Sequence, residues 1–181
     1  MKIQKQRILK FRGKTAVFID WANVYYWKET LKKEVDPKKL FEYLQSYDNV
    51  KQLRFYFGTD QSHPASAAFL NEIRQLGYEV VTKDVKFLKK YNEERTEYIW
   101  VRKCDFDLEI GLDCFEQLDD FDSFIFFSGD GDFATLYKRL IKRNKQVVVI
   151  YMYGRLGREI WEMKKGIFKA SIKKLKVDLY K

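Results

Sequence analysis

The chain has 181 residues, of which 46% are hydrophobic and 34% are charged, and its formal net charge is +9. This length suits one domain with a full core and is too short for two ordinary domains. Because no apolar stretch approaches the roughly 20 residues that a membrane helix requires, and because residues 1–14 lack the apolar segment of a signal peptide, we expect a cytoplasmic protein with no membrane partner.

The first third of the chain alternates between apolar runs and amphipathic segments. Residues 15–19 are a short apolar run, which predicts a buried strand, and residues 22–33 predict a helix. A second helix is expected over residues 37–47, with a proline in its first turn. Residues 50–57 alternate loosely and are rich in β-formers, which indicates a second strand.

The middle of the chain contains a helix with clear ends and a segment of unusual composition. Pro64 and Gly77 mark the start and the end of the third helix. Residues 78–85 predict a third strand. Residues 86–102 are charged and aromatic without a clear period, so we expect an excursion from the main fold, with a hairpin as one alternative. Residues 107–118 predict a fourth helix.

The last part of the chain returns to alternating strands and helices. Residues 123–127 and 146–151 predict strands, which are separated by a helix over residues 132–144. A last helix is expected over residues 157–165. Residues 167–179 have no clear pattern.

Strands that alternate with helices predict an α/β fold in which a central, mainly parallel sheet is flanked by helices. We expect the strand order 3-2-1-4-5, numbered along the chain, with right-handed crossovers. Residues 1–14 are expected to form a basic N-terminal arm, and residues 15–181 a single domain.

Acidic side chains follow two of the predicted strands at the point where each strand ends. Asp20 follows the first strand, and Asp130 and Asp132 follow the fourth. In an open α/β sheet the strand ends are where ligands bind. The alternative is a structural role, since Asp20 and Asp132 are each in position to cap the next helix. Asn23 can reach the same space or serve only as a turn residue.

A third acidic segment lies just before the fourth predicted helix. At about 100° per residue, Asp107 lies at the edge of an apolar stripe that includes Leu108 and Leu112. A charge on an inward face is costly unless it is paired or bound to a metal. Asp113 lies on the opposite, solvated side by the same construction, and Asp105 is in position to cap the helix.

The types of residue in these segments favour metal-assisted chemistry on phosphate. Carboxylate oxygens suit Mg²⁺ or Mn²⁺ far better than Zn²⁺. The chain has one histidine, His63, so a histidine-rich zinc site is excluded. The positive net charge indicates a polyanionic partner, for which nucleic acid is the first candidate; the alternative is that the charge serves only solubility.

Three segments, in this order, resemble the NYN-domain family, the LabA-like branch of the PIN-like metal-dependent ribonucleases. They are residues 17–23 (VFIDWAN), residues 103–107 (KCDFD) with Asp113 after them, and residues 128–133 (SGDGDF). The chain departs from the family pattern at Trp21 and Cys104, where relatives often have glycine. Neither change removes a carboxylate.

The resemblance implies a PIN-like three-layer fold and hydrolysis of RNA phosphodiester bonds with Mg²⁺ or Mn²⁺. By position, it implies metal ligands at Asp20, Asp107, Asp130 and Asp132, with Asp113 as a further family acid, and a water- or phosphate-positioning role for Asn23. One alternative is an NYN-like module that binds RNA without cutting it. Another is a small-molecule phosphatase, against which Ala22 argues, since those enzymes usually have a second acid at that position.

Contacts to single-stranded RNA are expected outside the acidic pocket, on cationic and aromatic side chains. The excursion supplies Lys89, Lys90 and Tyr91, a mixture that is typical of single-strand binding surfaces. The other candidates are Lys103, Trp21 as a stacking group, Arg139 and Arg143 on the helix after the third motif, and the basic arm. The alternative for these cations is an ordinary solvated surface.

Overall fold

A parallel sheet forms the middle layer of the structure. The computed structural model describes residues 8–60, 62–175 and 178–181. Within these residues the sheet contains β1 (Thr15–Asp20), β2 (Val50–Thr59), β3 (Glu79–Asp84), β6 (Ser123–Phe127), β7 (Gln146–Tyr151) and β8 (Ile167–Ser171). A separate antiparallel hairpin consists of β4 (Lys86–Asn92) and β5 (Glu97–Lys103).

Helices cover both faces of this sheet. They are α1 (Trp21–Tyr26), α2 (Lys28–Leu31), α3 (Pro37–Gln45), α4 (Pro64–Leu76), α5 (Asp107–Glu116), α6 (Ala134–Lys142) and α7 (Arg158–Glu162). Short 3-10 helices occur at Gly131–Phe133 and Ile172–Leu175. Among the described residues, no helix combines the length and the apolar character needed to cross a membrane.

The order across the sheet is β3-β2-β1-β6-β7-β8, and each neighbouring pair is parallel. The order predicted for five strands is therefore confirmed, and the structure adds β8 at the edge beside β7. The sequence does not show β8 clearly, because the first three side chains of this edge strand are partly or largely exposed and form no continuous apolar run.

Two local elements refine the sequence-based expectations. The helix predicted over residues 22–33 is instead two short helices, α1 and α2, with the fully buried Trp27 between them. The second of these ends at Lys32, which adopts a left-handed conformation with φ 59°. The hairpin alternative for residues 86–102 is confirmed, since β4 and β5 pair in antiparallel fashion.

Two hydrophobic clusters hold the helices against the sheet. In β1, Val17 and Ile19 enter one cluster, whereas Ala16 and Phe18 enter the other. The first cluster contains side chains of α1, α3 and α4, and the second contains side chains of α5, α6 and α7. Because both faces are covered, β1, β6 and β7 are nearly continuous apolar runs, which made them visible in the sequence.

The described part of the predicted N-terminal arm, residues 8–14, lies against the domain. Leu9 is 4% exposed and belongs to the first hydrophobic cluster. The backbone amide of Arg12 donates to the Ser123 hydroxyl at 3.0 Å, at the start of β6. Residues 1–7 of the arm lie outside the described residues.

The turn that follows β6 is packed too tightly for a side chain at its first glycine. A Cβ on Gly129 would overlap the backbone carbonyl oxygen of Arg155. The Gly157 amide also donates to the Gly129 carbonyl at 2.8 Å, so the turn and the loop before α7 hold each other in place. This packing determines the course of the backbone that carries Asp130.

We expect the Gly129→Ala variant to unfold at a lower temperature than wild type, because the added methyl group has no space beside Arg155. Overpacking of this kind costs about 1–3 kcal/mol. Gly111→Ala on α5 is the matched control, since a Cβ there meets no atom within 4 Å and alanine is the better helix former by about 1 kcal/mol. Thermal unfolding should rank Gly111→Ala at or above wild type; equal melting temperatures for the two variants would contradict the tight packing.

Candidate active site

The carboxyl ends of β1 and β6 meet where the chain changes direction across the sheet. From β1 the chain moves outward to β2 and β3, and it later returns to β6 on the other side of β1. Diverging connections of this kind leave a crevice at the carboxyl ends of the strands, which is where open α/β sheets bind ligands. Asp20 and the turn over residues 128–132 both lie at this crevice.

Three carboxylates converge at the crevice. One oxygen from each of Asp107, Asp130 and Asp132 lies within 4.8 Å of the other two. The Asp132 amide donates to the Asp130 carboxylate at 3.0 Å, which shapes the turn after β6. Asp107 is the first residue of α5 and arrives from a separate part of the chain. We call these three residues the acidic cluster; its spacing is compatible with one divalent cation bound by oxygen ligands.

Asp20, the last residue of β1, lies beside the acidic cluster. Its carboxylate accepts a hydrogen bond from the Asn23 amide at 3.3 Å, which caps α1, and one from the Ser128 hydroxyl at 3.5 Å. Burial raises the pKa of Asp20 to about 6, and the charges of Asp107 and Asp130 add to this effect. Asp20 therefore caps α1, which the sequence left open as an alternative, and also lies among the acids of the site.

Asp107 is also difficult to ionise. Burial raises its pKa to about 6, with further contributions from Asp130, Asp105 and Asp132, while Lys83 opposes the change. Like charges at short range disfavour the ionised form of each carboxyl group. A bound cation would offset this repulsion at neutral pH.

A buried hydroxyl close to these acids has no hydrogen-bond partner among the described residues. Tyr137 on α6 is fully buried, and its hydroxyl is left unpaired. Burial raises the pKa of this hydroxyl far above its usual range, and Cys114, Asp20, Asp130 and Asp107 contribute in that order. Because buried hydroxyls nearly always have a partner, a water held among the acids would satisfy it. The carboxylates of the acidic cluster themselves fit a hydrated, oxygen-preferring cation.

Asn23 connects α1 to the turn after β6. Its side-chain oxygen accepts hydrogen bonds from the Gly129 amide at 3.2 Å and from the Trp27 indole at 2.9 Å. The side-chain nitrogen of Asn23 is therefore the group that can donate to a bound molecule. Of the two alternatives that the sequence left open for Asn23, the structure places its side chain at the crevice, where it also has a structural function.

Comparison with known proteins identifies the family. Residues 14–163 match the NYN domain. The chain belongs to the NYN domain family, whose members are generally nucleases. This confirms the family resemblance seen in the sequence.

Two relatives of this NYN domain cover most of its length. It is 27% identical over 149 residues to the Low amplitude and bright protein LabA of Synechococcus elongatus, which is 82% of this chain and 78% of that protein. A crystal structure of a protein of unknown function from Vibrio parahaemolyticus RIMD 2210633 has a TM-score of 0.69 at 24% identity, covering 95% of this chain and 98% of that one. The second comparison shows that the two proteins share a fold.

The orientation of α5 in this NYN domain differs from the one expected from its sequence. The buried residues of the helix are Ile110 and Cys114, whereas Leu108 and Leu112 are 69% and 54% exposed. The predicted apolar stripe is wrong at Leu108 and Leu112, because the second hydrophobic cluster takes up the side of the helix that carries Ile110 and Cys114. Asp107 still faces inward, since it precedes Ile110 by three residues and Cys114 by seven.

Two other acids near α5 lie outside the acidic cluster. Asp113 accepts a hydrogen bond from the Tyr56 hydroxyl at 2.6 Å and pairs with Arg54 at 2.5 Å. It is half-buried against β2, so its assignment to a solvated face is wrong. Asp105 pairs with Lys103 at 3.1 Å, and α5 begins without a side-chain cap, so the predicted capping role of Asp105 is wrong.

The hairpin divides the predicted RNA-binding residues between two faces. Directly paired residues of antiparallel strands share a face, so Lys89 lies with Trp100, and Tyr91 lies with Tyr98. Lys90 is on the opposite face, because side chains alternate along a strand.

We call the first of these the aromatic face of the hairpin. It consists of Phe87, Lys89, Tyr91, Tyr98, Trp100 and Arg102. Its four rings are between 49% and 67% exposed. The Lys89 Nζ atom lies 4.8 Å from the centre of the Tyr98 ring, so a cation is already in contact with this exposed aromatic surface.

The remaining predicted RNA contacts differ in their relation to the crevice. Trp21 is 5% exposed and packs against Phe55, with 4.8 Å between ring centres, so it is mainly a core residue. Arg139 and Arg143 are exposed at the far end of α6. With a rise of 1.5 Å per residue, Arg143 lies roughly 14 Å from the first residue of that helix.

Two residues at the site were missed by the sequence analysis. Tyr137 lies on the apolar side of α6, where an aromatic residue resembles any other core side chain. Ser128 enters the sequence analysis only as the first residue of the third motif, although its hydroxyl contacts Asp20 and also accepts from the Asp130 amide at 3.2 Å. For Ser128 a signal was present, since a hydroxyl between a buried strand and an acidic turn is in position to bond both.

The protein without metal should lose stability as the pH rises from about 4 to about 7. In the unfolded chain Asp20 ionises near its ordinary pKa of 3.8, but in the folded protein its pKa is about 6. The folded state therefore holds an extra proton between these values, and raising the pH favours unfolding. Asp20→Asn removes this penalty and keeps a capping residue, so it should raise the stability at pH 8 by on the order of 1–3 kcal/mol. Thermal unfolding with chelator at pH 5 and pH 8 measures the effect.

Divalent metal should raise the stability that the protein loses when these carboxyl groups ionise. At pH 8, Mg²⁺ or Mn²⁺ should raise the melting temperature of wild type more than at pH 5, since metal ions bind deprotonated ligands. Asp20→Asn should reduce that gain. A wild-type protein whose stability responds to neither pH nor metal over this range would contradict the electrostatic account of the site.

Proposed function

We propose that this NYN domain is a metal-dependent ribonuclease that hydrolyses RNA phosphodiester bonds at the acidic cluster. The observation that supports this most directly is the convergence of Asp107, Asp130 and Asp132 within 4.8 Å at the crevice of the sheet. Membership in a family that generally consists of nucleases supports the same reaction class. The net charge of +9 suits a polyanionic substrate.

The acidic cluster would hold Mg²⁺ or Mn²⁺, with Asp20 as a fourth ligand. All members of the cluster are carboxylates, and hard oxygen ligands favour these ions over Zn²⁺. When bound, such an ion lowers the pKa of a coordinated water and stabilises charge on the phosphate and on the leaving oxygen.

Neighbouring groups of the protein would orient the reactants. Asn23 is held by Gly129 and by Trp27, so its side-chain nitrogen is a fixed donor for a phosphate oxygen or for the attacking water. The unpaired Tyr137 hydroxyl would bind a water among the acids. The Ser128 hydroxyl orients the Asp20 carboxylate. Phosphoryl transfer depends mainly on positioning of this kind and on electrostatic stabilisation.

The aromatic face of the hairpin is the proposed platform for single-stranded RNA. Exposed rings accept unstacked bases at about 1–3 kcal/mol per base, and Lys89 supplies a cation for the backbone. The hairpin ends at Lys103, close in the chain to Asp107, so RNA on this face would lead toward the acidic cluster. Lys103, Arg139 and Arg143 are proposed as further phosphate contacts.

Single substitutions in the acidic cluster should abolish cleavage without preventing folding. Asp107→Asn and Asp130→Asn each remove one anionic ligand, so the rate of Mn²⁺-dependent cleavage of a labelled single-stranded RNA should fall by at least about 100-fold. Asp105→Asn is the matched control, since Asp105 is exposed and lies two residues before Asp107; it should keep cleavage within about threefold of wild type.

Two other functions predict different results in the same assay. A module that binds RNA without cutting it would bind the labelled strand but show no metal-stimulated cleavage in wild type. A small-molecule phosphatase would hydrolyse a phosphate monoester and leave the RNA intact. Either result would overturn the ribonuclease assignment.

Substitution of two adjacent lysines tests the platform. Lys89→Ala and Lys90→Ala remove the same charge from opposite faces of the hairpin. We expect Lys89→Ala to weaken binding of single-stranded RNA more and to reduce the slope of log affinity against log salt by about 0.7. Fluorescence anisotropy at several salt concentrations measures both quantities. A larger effect of Lys90→Ala would assign binding to the other face.

A further inference from the structure

A cavity of ≈ 570 Å³ lies between α1 and the start of α4, next to the end of β2 and the base of the hairpin. This volume is within the range of small-molecule sites, about 300–1,000 Å³. Two residues of the cavity wall lie close in the chain to acids of the site. Trp21 on α1 directly follows Asp20, and Cys104 lies three residues before Asp107.

The cavity wall is aromatic, and one of its rings, that of Trp21, is held rigidly. Trp21 is packed against Phe55 and Phe69, with ring centres 4.8 Å and 5.8 Å away, so the indole cannot turn freely. Tyr25 and Tyr26 also line the cavity and are 45% and 54% exposed. A planar, apolar-faced ligand would thus find exposed rings beside a fixed aromatic wall.

A polar group in the cavity wall lacks a partner. The Ser66 hydroxyl of α4 is buried and makes no hydrogen bond to the described residues. Such groups in native structures call for an explanation, and a bound ligand is one. The ligand that would suit this wall has flat apolar faces and hydrogen-bonding edges.

A cation at the rim joins the cavity to the hairpin. Arg102 lines the cavity and belongs to the aromatic face of the hairpin. The buried Asp60 carboxylate holds it at 3.2 Å and lies 3.9 Å from Nε2 of His63, which also lines the cavity. The Arg102 side chain is 53% exposed, so its guanidinium group, although paired with Asp60, is accessible to a phosphodiester backbone where the aromatic face ends.

We infer that this cavity is a nucleobase subsite, which takes one unstacked base of the RNA strand whose backbone crosses the acidic cluster. The inference rests on the proposed function in one respect, namely that RNA is the substrate. The base stacks on the tyrosines of α1 and hydrogen-bonds to Ser66 through its edge. Arg102 contacts the backbone between this base and those on the hairpin.

Filling the cavity tests the inference. Ala65 and Ala67 are both exposed residues of α4, and of the two Ala65 lines the cavity. Ala65→Phe therefore places a ring at the cavity, whereas Ala67→Phe places the same ring about 200° further round the helix. The probe is 2-aminopurine riboside 5′-monophosphate, which is too small to span the hairpin and whose fluorescence is quenched by stacking. With Ca²⁺ present, wild type, Ala67→Phe and Trp100→Ala should quench the probe, and Ala65→Phe should not.

The same variants are compared for binding of a single-stranded RNA oligonucleotide. Ala65→Phe should bind roughly 5- to 150-fold more weakly than Ala67→Phe, the fold-change that corresponds to one stacked base. Tyr25→Ala should weaken binding in the same direction, and Tyr25→Phe, which keeps the ring, should not. This second pair leaves the interior of the cavity intact, and thermal unfolding shows whether each variant is folded.

The outcomes separate the subsite from the reaction. Equal quenching by Ala65→Phe and wild type, or no quenching by wild type, would overturn the nucleobase subsite whether or not RNA is cut. Quenching that Ala65→Phe removes, together with no Mn²⁺-dependent cleavage by wild type, would uphold the subsite and overturn the ribonuclease assignment.

Discussion

Asp20, Asp107 and Asp130 carry like charges that the fold holds at one end of a buried sheet. Left alone, the carboxyl groups of Asp20 and Asp107 keep their protons up to a pH of about 6, because burial and the neighbouring negative charges both disfavour ionisation. The arrangement therefore lowers stability at neutral pH unless a positive charge is present. In the function that we propose, the ionised carboxylates that bind the metal also lower the stability of the fold, which is typical of sites that bind an ion or a charged substrate.

The packing around the sheet makes this arrangement possible. Hydrophobic clusters on both faces fix β1 and β6 in register, so the ends of these strands cannot separate to relieve repulsion. The turn after β6 is equally constrained, since Gly129 is packed against the backbone of Arg155 and is held by Asn23. Asp107 is brought in by α5, whose buried side rests on the second cluster.

Binding and chemistry occupy different surfaces of the molecule in the function that we propose. An acidic crevice repels a polyanion, so affinity for RNA has to come from elsewhere. The aromatic face of the hairpin combines exposed rings with Lys89 and Arg102. The cavity shares Arg102 with that face, and its wall includes Trp21, which directly follows Asp20. Together these would form one path for a single strand, with stacking at one end and hydrolysis at the other.

The sequence by itself determined the five strands of the predicted sheet, their alternation with helices and the segments that carry the acids, because these depend on local apolar patterning and on turn residues. It misjudged α5, since a helix with apolar residues on two sides can bury either one. Tertiary structure alone decided that Ile110 faces the core and that Arg54 and Tyr56 pair with Asp113. The pairing of the hairpin strands likewise decided that Lys89, and not Lys90, lies on the face with the aromatic rings. Each of these outcomes depends on contacts between segments distant in the chain, or on a pairing register, which local periodicity does not encode.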